Sequence, residues 1–202
     1  MSVAIVKYNA GNIYSVVNAL RRLGVEPFLS DDAEVLRRSD HVIFPGQGEA
    51  RSAMEYLRHK RLDRVICSLI QPVLGICIGQ QLLCRHSEEG DTGCLGIFDV
   101  DVKRFLPQQH EEKVPCMGWN SLELNVSSLN SQVNPLFEGL TQPWVYFVHS
   151  YYVPICENTI ATANYILPYS AALHKDNFYT CQFHPEKSGE AGEIILRNFL
   201  RL

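Results

Sequence analysis

The first half of the chain alternates short runs of β-branched and apolar residues with longer helix-forming stretches, and this alternation limits the possible folds more than any other feature. Strands that alternate with helices are typical of a parallel sheet covered by helices. The predicted strands are Val3–Val6, Pro27–Leu29, His41–Phe44 and Pro72–Ile76. The predicted helices are Ile13–Leu23, with Asn12 as its N-cap, Ala33–Arg38 and Ala50–Leu69.

Strands dominate the second half, from Ile97 onward. The predicted ones are Phe98–Phe105, Ser121–Asn125, Trp144–Val153 and Ile160–Ala163, followed by a hairpin in which Lys175-Asp176-Asn177 joins Ala171–His174 to Phe178–Phe183. The final predicted helix is Ala191–Leu202. No Pro-, Gly- or Ser-rich linker separates the two halves, so residues 1–202 are predicted to form one α/β domain with an antiparallel extension.

Composition excludes several classes of partner. The formal net charge is -4 with both signs interspersed, so neither nucleic acid nor an anionic membrane is an expected partner. No apolar run approaches the roughly 20 residues that span a bilayer, and the first residues lack the pattern of a signal peptide. The seven cysteines are scattered without a CxxC pair, which favours free thiols in the cytoplasm.

No metal or other cofactor is expected either. Cys181 and His184 have a CxxH spacing that suits a zinc site, but no second pair of ligands accompanies them. Nucleophilic side chains are therefore the remaining candidates for a catalytic site.

The segment Pro72–Leu83 carries the first candidate. Its predicted strand ends at Gly75-Ile76-Cys77-Ile78-Gly79 and runs directly into helix-forming residues. A sharp strand-to-helix turn of this kind exposes a nucleophile, because the glycines relieve crowding and the helix N-terminus favours a thiolate. A buried structural cysteine is the alternative, since an isolated cysteine is more often inert.

The second candidate lies at the end of the last predicted strand, in Gln182-Phe183-His184-Pro185-Glu186. Residues two apart on a strand point to the same side, so His184 and Glu186 are predicted to share a face, where the carboxylate can orient the imidazole. This arrangement would supply the base and the orienting group of a catalytic triad. A solvated strand end is the alternative interpretation.

A third segment, Phe44-Pro45-Gly46-Gln47-Gly48, is a glycine-rich turn directly after a predicted strand. Its backbone N–H groups could approach a developing oxyanion closely. It is not a phosphate-binding loop, because the chain has neither G-x-G-x-x-G nor G-K-[ST] there.

Taken together and in this order, the three segments resemble the class I, triad-type glutamine amidotransferases. Further segments narrow the resemblance to the glutaminase subunits of imidazole glycerol phosphate synthases, and it runs nearly from end to end. These segments are KYNAGN at 7–12, PVLGICIGQQLL at 72–83 with SEE at 87–89, KVPCMGWN at 113–120, YFVHSYY at 146–152, NFYTCQFHPEKSG at 177–189 and the terminal LRNFL.

The resemblance implies a flavodoxin-like sandwich, with a mostly parallel central sheet and helices on both faces. It implies that Cys77, His184 and Glu186 form a triad that hydrolyses glutamine, and that Ile78 and the turn Gly46, Gln47 and Gly48 meet the oxyanion with their N–H groups. The implied substrate-binding residues are Gln81, Glu89, His149, Ser150 and Tyr151.

The same resemblance implies a partner. In the family, ammonia crosses into a (β/α)8-barrel cyclase, which forms a heterodimer with the glutaminase and makes imidazole glycerol phosphate and AICAR, an aminoimidazole ribonucleotide. The implied interface residues are Asn12, Trp119 and Lys187.

Three positions depart from the family pattern. Gln47 and Gln80 stand where a small apolar residue and a methionine are common, and Cys116 stands where histidine is frequent. Three alternatives remain open: a related glutaminase that feeds another synthase, such as one that amidates a surface sugar; a catalytically silent scaffold; and a cysteine peptidase. The last is least favoured, because Gln81 and the segment HSYY point to a free amino acid as the substrate.

Overall fold

The computed structural model describes residues 1–8, 13–46, 48–125 and 133–202. The strands in this part of the chain are β1 (Val3–Val6), β2 (Phe28–Ser30), β3 (His41–Phe44), β4 (Val73–Ile76), β5 (Cys84–Ser87), β6 (Thr92–Gly93), β7 (Phe98–Arg104), β8 (Cys116–Ser121), β9 (Glu123–Leu124), β10 (Trp144–His149), β11 (Tyr151–Tyr152), β12 (Thr159–Tyr165), β13 (Leu167–Lys175) and β14 (Phe178–Cys181). The α-helices are α1 (Tyr14–Arg22), α2 (Ala33–Arg38), α3 (Ala50–His59), α4 (Leu62–Cys67), α5 (Ile78–Leu83) and α6 (Gly189–Phe199).

An eight-stranded sheet in the order β2-β1-β3-β4-β14-β13-β12-β9 forms the centre of the molecule. Its first five strands are parallel, and their order is that of a flavodoxin-like, doubly wound sheet. The remaining three strands are antiparallel extensions. The predicted fold class is therefore confirmed.

Four of the parallel strands, β1, β3, β4 and β14, are buried on both faces, as expected for a sheet between two layers of helices, whereas the edge strand β2 is partly exposed. Alternate residues of a strand point to opposite faces of the sheet, as β1 shows. Val3 and Ile5 pack in the cluster that contains the apolar faces of α1 and α6. Ala4 and Val6 pack in the cluster that contains those of α2, α3, α4 and α5.

Two smaller sheets flank the central one. Strands β8 and β10 form an antiparallel ribbon, and a four-stranded sheet has the order β11-β7-β5-β6. Because the carboxyl ends of parallel strands meet at one edge of a sheet, the ends of β3, β4 and β14 bring distant parts of the sequence together.

Several predicted boundaries were wrong. The helix predicted over Ala50–Leu69 is two helices, because the chain turns at Lys60 and Arg61 and Arg61 adopts a φ of 56°. The strand predicted over Trp144–Val153 is broken at Ser150 into β10 and β11.

Other differences lie in the middle of the chain. In place of one strand over Ser121–Asn125, the structure has β8, which lies mostly before that range, and the two-residue β9. Strands β5 and β6 were not predicted. The final helix begins two residues earlier than predicted and ends at Phe199. The N-cap predicted at Asn12 lies outside the described residues.

None of the helices in the described ranges is long and apolar enough to cross a membrane.

Candidate active site

A cavity of about 480 Å³ lies beyond the carboxyl ends of the central strands. It brings together residues from all three segments that the sequence singled out. The lining residues are Gly46, Gly48, Cys77, Ile78, Gln81, Glu89, Pro115, Tyr146, Val148, His149, Ser150, Tyr151, His184 and Lys187.

Cys77 occupies the turn between β4 and α5. Its backbone has φ 53° and ψ −110°, a conformation that costs a non-glycine residue about 1–3 kcal/mol and persists only where the surroundings impose it. Its N–H donates to the carbonyl of Cys181 at the end of β14 (2.7 Å), which ties the turn to the neighbouring strand. The predicted sharp strand-to-helix turn at Cys77, hereafter the elbow, is therefore present in the fold.

Glycines allow the elbow to lie against the end of β3. A Cβ atom added to Gly79 would lie 2.2 Å from the carbonyl oxygen of Phe44, and one added to Gly46 would lie 2.4 Å from that of Ile76. Both positions therefore exclude any larger residue. The backbone of the glycine-rich turn is in this way pressed against the start of α5, where Ile78 is the first helical residue and its N–H lacks an intrahelical acceptor.

Besides His184, two polar groups lie near the sulfur of Cys77. The carbonyl oxygen of Val148 lies 3.7 Å away as an acceptor for the thiol. The Nε2 of Gln182 also lies 3.7 Å away and is a hydrogen-bond donor to the sulfur. Cys77 is only 8% exposed, so these contacts are shielded from water.

His184 and Glu186 form a buried pair. The Nδ1 of His184 lies 2.8 Å from Oε1 of Glu186, and the two side chains are 1% and 2% exposed. Both follow the end of β14, and Pro185 begins a 3-10 turn over residues 185–187. The prediction that the two residues share one face of a strand was wrong, because this turn and not a strand brings them into contact.

Hydrogen bonds fix this turn to the ribbon. The N–H of His184 donates to the carbonyl of Tyr146 (2.9 Å), and the hydroxyl of Ser188 bridges the N–H of Tyr146 and the carbonyl of His184. The Nε2 of His184 is buried and has no hydrogen-bond partner among the described residues. Because the carboxylate accepts from Nδ1–H, the neutral imidazole presents its unprotonated Nε2 for a proton.

Two opposed effects act on the pKa of His184. Burial lowers it, but the nearby sulfur of Cys77 and the hydrogen-bonded carboxylate of Glu186 outweigh burial and raise the pKa from 6.5 to about 10. His184 is therefore prepared to hold a proton that the thiol gives up.

The pKa of His149 is shifted in the opposite direction. Burial, opposed by a hydrogen bond to the Tyr151 carbonyl and assisted by the charge of His184, lowers its pKa from 6.5 to about 4. Its Nδ1–H donates to that carbonyl (2.7 Å), and its Nε2 lies 3.3 Å from the hydroxyl of Tyr169. His149 thus lines the cavity as a neutral ring whose polar atoms are both engaged by the protein.

Gln81 and Glu89 place acceptors on another side of the cavity. The Nε2 of Gln81 donates to the carbonyl of Tyr151 (3.1 Å) and to Oε1 of Gln182 (2.9 Å), so both of its hydrogens are used and its own oxygen is left free by the described residues. Glu89 accepts from the N–H of Ala50 at the start of α3 (2.8 Å). Burial, opposed by that hydrogen bond and assisted by the charge of Glu49, raises the pKa of Glu89.

The structure accounts for two of the three departures from the family pattern. Gln80 is fully buried, but its amide is satisfied, because it donates to the carbonyl of Ser170 (3.1 Å) and accepts from the hydroxyl of Thr180 (2.7 Å). Cys116 is buried opposite His149 in the ribbon, and burial raises its pKa to about 11, so it packs as a neutral thiol. Gln47 lies outside the described residues.

Two of the three residues implied at an interface, Trp119 and Lys187, lie at the edge of the same region. Trp119 is 53% exposed on β8, and its ring meets that of Tyr146 edge-on. Lys187 lines the cavity, and its ammonium forms no ion pair within the described part of the chain. Asn12 lies outside that part.

Sequence reasoning gave no role to Tyr8, Pro115, Tyr146, Val148 and Gln182, which also belong to the site or touch it. Tyr8 donates a hydrogen bond from its buried hydroxyl to the carbonyl of Pro45 and so fixes the glycine-rich turn. Burial and the charge of Cys77 raise the pKa of Tyr8, which keeps the donor protonated. Gln182 could have been found from the sequence, because it stands two residues before His184 at a strand end.

Among the described residues, no group of three or more His, Cys, Asp or Glu side chains is arranged to hold a metal ion.

Comparisons with known proteins agree with this geometry. A sequence model of the glutamine amidotransferase class-I family matches residues 4–202. A solved structure described as a glutamine amidotransferase superposes with a TM-score of 0.75 at 20% identity, covering 100% of this chain and 98% of that one. A glutamine amidotransferase from Thermotoga maritima gives a TM-score of 0.61 at 18% identity, covering 100% and 83%. The chain therefore belongs to the class-I glutamine amidotransferase family.

Curated relatives define its place within that class. Imidazole glycerol phosphate synthase subunit HisH of Bacteroides thetaiotaomicron is 61% identical over 203 residues, which cover 100% of both chains. The subunit of the same name from Escherichia coli strain K12 is 43% identical over 208 residues, again covering 100% of both. Within class I, the chain belongs to the HisH family.

Proposed function

We propose that Cys77, His184 and Glu186 of this chain hydrolyse glutamine to glutamate and ammonia, and that the ammonia passes to a cyclase subunit that forms imidazole glycerol phosphate and AICAR. Membership of the HisH family places the chain as a glutaminase in histidine biosynthesis. The observation that carries the proposed triad is the free, buried Nε2 of His184, which is held by Glu186 in the cavity that contains Cys77.

The reaction follows from these groups. The thiolate of Cys77 attacks the side-chain carbonyl of glutamine, and the N–H groups of Ile78 and of the turn Gly46, Gln47 and Gly48 receive the oxyanion. His184 holds the thiol proton and delivers it to the departing ammonia, which leaves a thioester on Cys77. Water that gives a proton to His184 then attacks the thioester, and glutamate is released with the thiol restored.

Glu186 keeps the imidazole in the required tautomer throughout. Its Oε1 accepts from Nδ1–H, so Nε2 faces the reacting atoms, and its charge stabilises the imidazolium that forms. This role explains why a carboxylate is retained in a site that is almost inaccessible to water.

Substrate recognition is proposed to use the polar groups around the cavity. The free oxygen of Gln81 and the carboxylate of Glu89 are acceptors, which suit the α-ammonium group of glutamine. The segment of His149, Ser150 and Tyr151 lies across the cavity and supplies neighbouring contacts. Since both ring nitrogens of His149 are engaged, we propose that it contacts the substrate by van der Waals packing and not through a charge.

The partner is proposed to be a (β/α)8-barrel cyclase that forms a heterodimer with this chain. The ribbon of β8 and β10 supports a docking site beside the cavity. Cross-strand pairing sets Trp119 against Tyr146 and Met117 against Val148, and Met117 is 65% exposed. Because Tyr146 and Val148 also line the cavity, a partner seated on this ribbon would cover the outlet for ammonia.

Asn12 and Lys187 complete the proposed interface. The ammonium of Lys187, at the edge of the cavity, is suited to an ion pair with a partner carboxylate. A single domain over residues 1–202 and a cytoplasmic location are also part of the proposal. The family match over residues 4–202 supports the first, and the free cysteines support the second.

The test is glutamate release from glutamine by the purified chain, alone and with the cyclase subunit, without and with the cyclase's ribonucleotide substrate. We expect strong stimulation by the loaded cyclase, and Cys77→Ala should lower the rate by at least about 1,000-fold, because no other group can form the thioester. Cys116→Ala is the matched control, since it also removes a buried thiol near the cavity but not at the elbow.

Unchanged glutamate release in the Cys77→Ala complex would refute the triad. Release that only a different synthase stimulates would instead favour the alternative in which this chain supplies ammonia for another amidation.

A further inference from the structure

Gln182 is a buried amide in the site that the mechanism above does not use. It directly follows β14, it is 0% exposed, and its N–H donates to the carbonyl of Ala171 on β13 (2.8 Å). The backbone of Gln182 is thus held by the central sheet, and its side chain extends to α5.

The hydrogen-bond pattern fixes which end of this amide faces the nucleophile. Gln81 directs its Nε2 between two oxygens, the carbonyl of Tyr151 and Oε1 of Gln182. Because Oε1 of Gln182 must accept from Gln81, its donor Nε2 is the end that lies 3.7 Å from the sulfur of Cys77. A single buried amide therefore joins a residue of the proposed substrate site to the reacting atom.

We propose that Gln182 is a further catalytic residue of the glutaminase: its Nε2–H stabilises the Cys77 thiolate, and its Oε1 accepts from Nε2 of Gln81 and so orients the free oxygen of Gln81 toward the substrate. The inference rests on the proposed role of Cys77 as the nucleophile. It adds to the triad a donor that carries no charge of its own.

The carbonyl of Val148 and the amide of Gln182 suit the two protonation states of the Cys77 sulfur. The carbonyl of Val148 is an acceptor and can take a hydrogen bond only from the protonated thiol. The amide of Gln182 is a donor, and a thiolate is a much better acceptor than a thiol. Removal of the proton by His184 therefore weakens the contact with Val148 and strengthens the contact with Gln182, so the amide favours the reactive form.

A second buried glutamine provides an internal comparison. Gln80 is equally inaccessible and lies on the same short helix as Gln81, but its amide bonds to Ser170 and Thr180 and reaches no reacting atom. A purely structural role for Gln182 would make the two residues equivalent in their effect on chemistry.

The experiment compares Gln182→Glu, Gln182→Met and the control Gln80→Met. Gln182→Glu keeps an oxygen for Gln81 but loses the donor to sulfur, whereas Gln182→Met loses both contacts. Two quantities are measured: kcat and KM for glutamine in the stimulated complex with the cyclase, and the rate of Cys77 alkylation by iodoacetamide in the isolated chain. The alkylation is followed across pH by mass spectrometry of the Cys77 peptide.

For Gln182→Glu we expect kcat to fall by at least about 10- to 100-fold, because the thiolate loses a hydrogen bond and also faces a negative carboxylate, with KM within threefold of the unsubstituted protein. Gln182→Met should lower kcat and also raise KM, because Gln81 loses one of its two acceptors. In both variants alkylation at pH 7 should slow by about tenfold, and the pH of half-maximal alkylation should rise. Gln80→Met should leave both readouts within twofold.

Two results would overturn the inference: folded Gln182 variants with an unchanged alkylation profile and kcat within threefold, or a Gln80→Met variant that shows the same losses. Circular dichroism establishes folding, and either Gln182 variant suffices if the other does not fold. Alkylation requires neither glutamine nor a partner. A failure of the unsubstituted complex to release glutamate would therefore count against the proposed function alone.

Discussion

At the scale of the residue, the cavity contains two histidines whose surroundings have opposite effects. His184 faces a carboxylate and a thiol, which raise its pKa to about 10, whereas burial, assisted by the charge of His184, lowers the pKa of His149 to about 4. The same side chain is thus the proposed proton carrier in one position and a neutral packing group in the other. Environment, and not residue type, decides the role.

The lowered pKa of His149 has a consequence for stability. In the unfolded chain this histidine binds a proton near pH 6.5, but in the folded chain it does so only near pH 4. The unfolded state therefore binds more protons in this window, so the free energy of unfolding should fall by up to about 3 kcal/mol as pH drops from about 6.5 to about 4.

The measurement is urea denaturation between pH 7 and pH 4 for the unsubstituted chain and for His149→Asn. Asparagine can keep a donor for the Tyr151 carbonyl but does not titrate, so the variant should lose less stability on acidification. Any effect of His41, whose pKa burial also lowers, is common to both proteins. Identical pH profiles for the two proteins would show that His149 does not cause the loss.

Individual site residues were predictable where a local pattern has a physical meaning. The glycines around Cys77 identified the elbow, because only a tight turn requires them there. The contact between His184 and Glu186 was predicted for the wrong reason, since Pro185 starts a turn where a strand was expected. Gln182 stands two residues before His184, which signalled its position, but its contact with Gln81 was not predictable because Gln81 is 101 residues away along the chain.

At the scale of the element, the site depends on how closely the end of β3 meets the start of α5. The carbonyl of Phe44 occupies the space that a side chain at Gly79 would need. This contact couples the end of β3 to the elbow, so the proposed oxyanion donors and the proposed nucleophile depend on the same packing.

Substitution of Gly79 by alanine should therefore affect both stability and activity. Its Cβ would lie 2.2 Å from a backbone oxygen, which cannot move without displacing β3 or α5. We expect the free energy of unfolding to fall by about 1–3 kcal/mol. Glutamate release should fall by about 100-fold, because the nucleophile is displaced from its donors.

Gly93→Ala is the matched control, since the nearest atom to its added Cβ is the end of the Arg58 side chain at 3.6 Å. Urea denaturation and the stimulated glutaminase assay are run on both variants. A Gly79→Ala protein as stable and active as Gly93→Ala would contradict the close packing of the elbow.

The elements of the parallel sheet were largely predictable, because each short apolar run is bounded by turn residues and followed by an amphipathic helix. The boundaries of β1, β3 and α2 agree with the prediction at both ends. The break at Arg61 was missed because nothing in that stretch is a glycine or a proline, and an arginine adopts the left-handed conformation there. Strands β5 and β6 were missed because they are short and mostly polar.

At the scale of the whole molecule, exposed aromatic and apolar residues lie next to the cavity. Trp119 and Met117 project from the ribbon whose other strand lines the cavity. Large exposed side chains of this kind are typical of the energetically important centre of an interface. The arrangement supports a partner that covers the ribbon and the cavity together.

Trp119→Ala should weaken binding of the cyclase by about 30-fold, which corresponds to about 2 kcal/mol for loss of a central aromatic contact. Titration calorimetry of the chain with the cyclase measures this change. Ile70→Ala is the control, because Ile70 is 89% exposed and precedes β4, at the opposite end of the sheet from the cavity. An affinity within threefold of the unsubstituted chain would place the interface elsewhere.

The position of β14 in the sheet has a consequence for synthesis on the ribosome. Strands β1 to β4 can pair among themselves as they emerge. The second edge of β4, however, stays unpaired until Phe178–Cys181 is translated, roughly a hundred residues later. His184 and Glu186 follow immediately after that strand. A nascent chain therefore carries an open sheet edge until translation is almost finished, and under the proposed mechanism a prematurely terminated product would lack the base and could not consume glutamine.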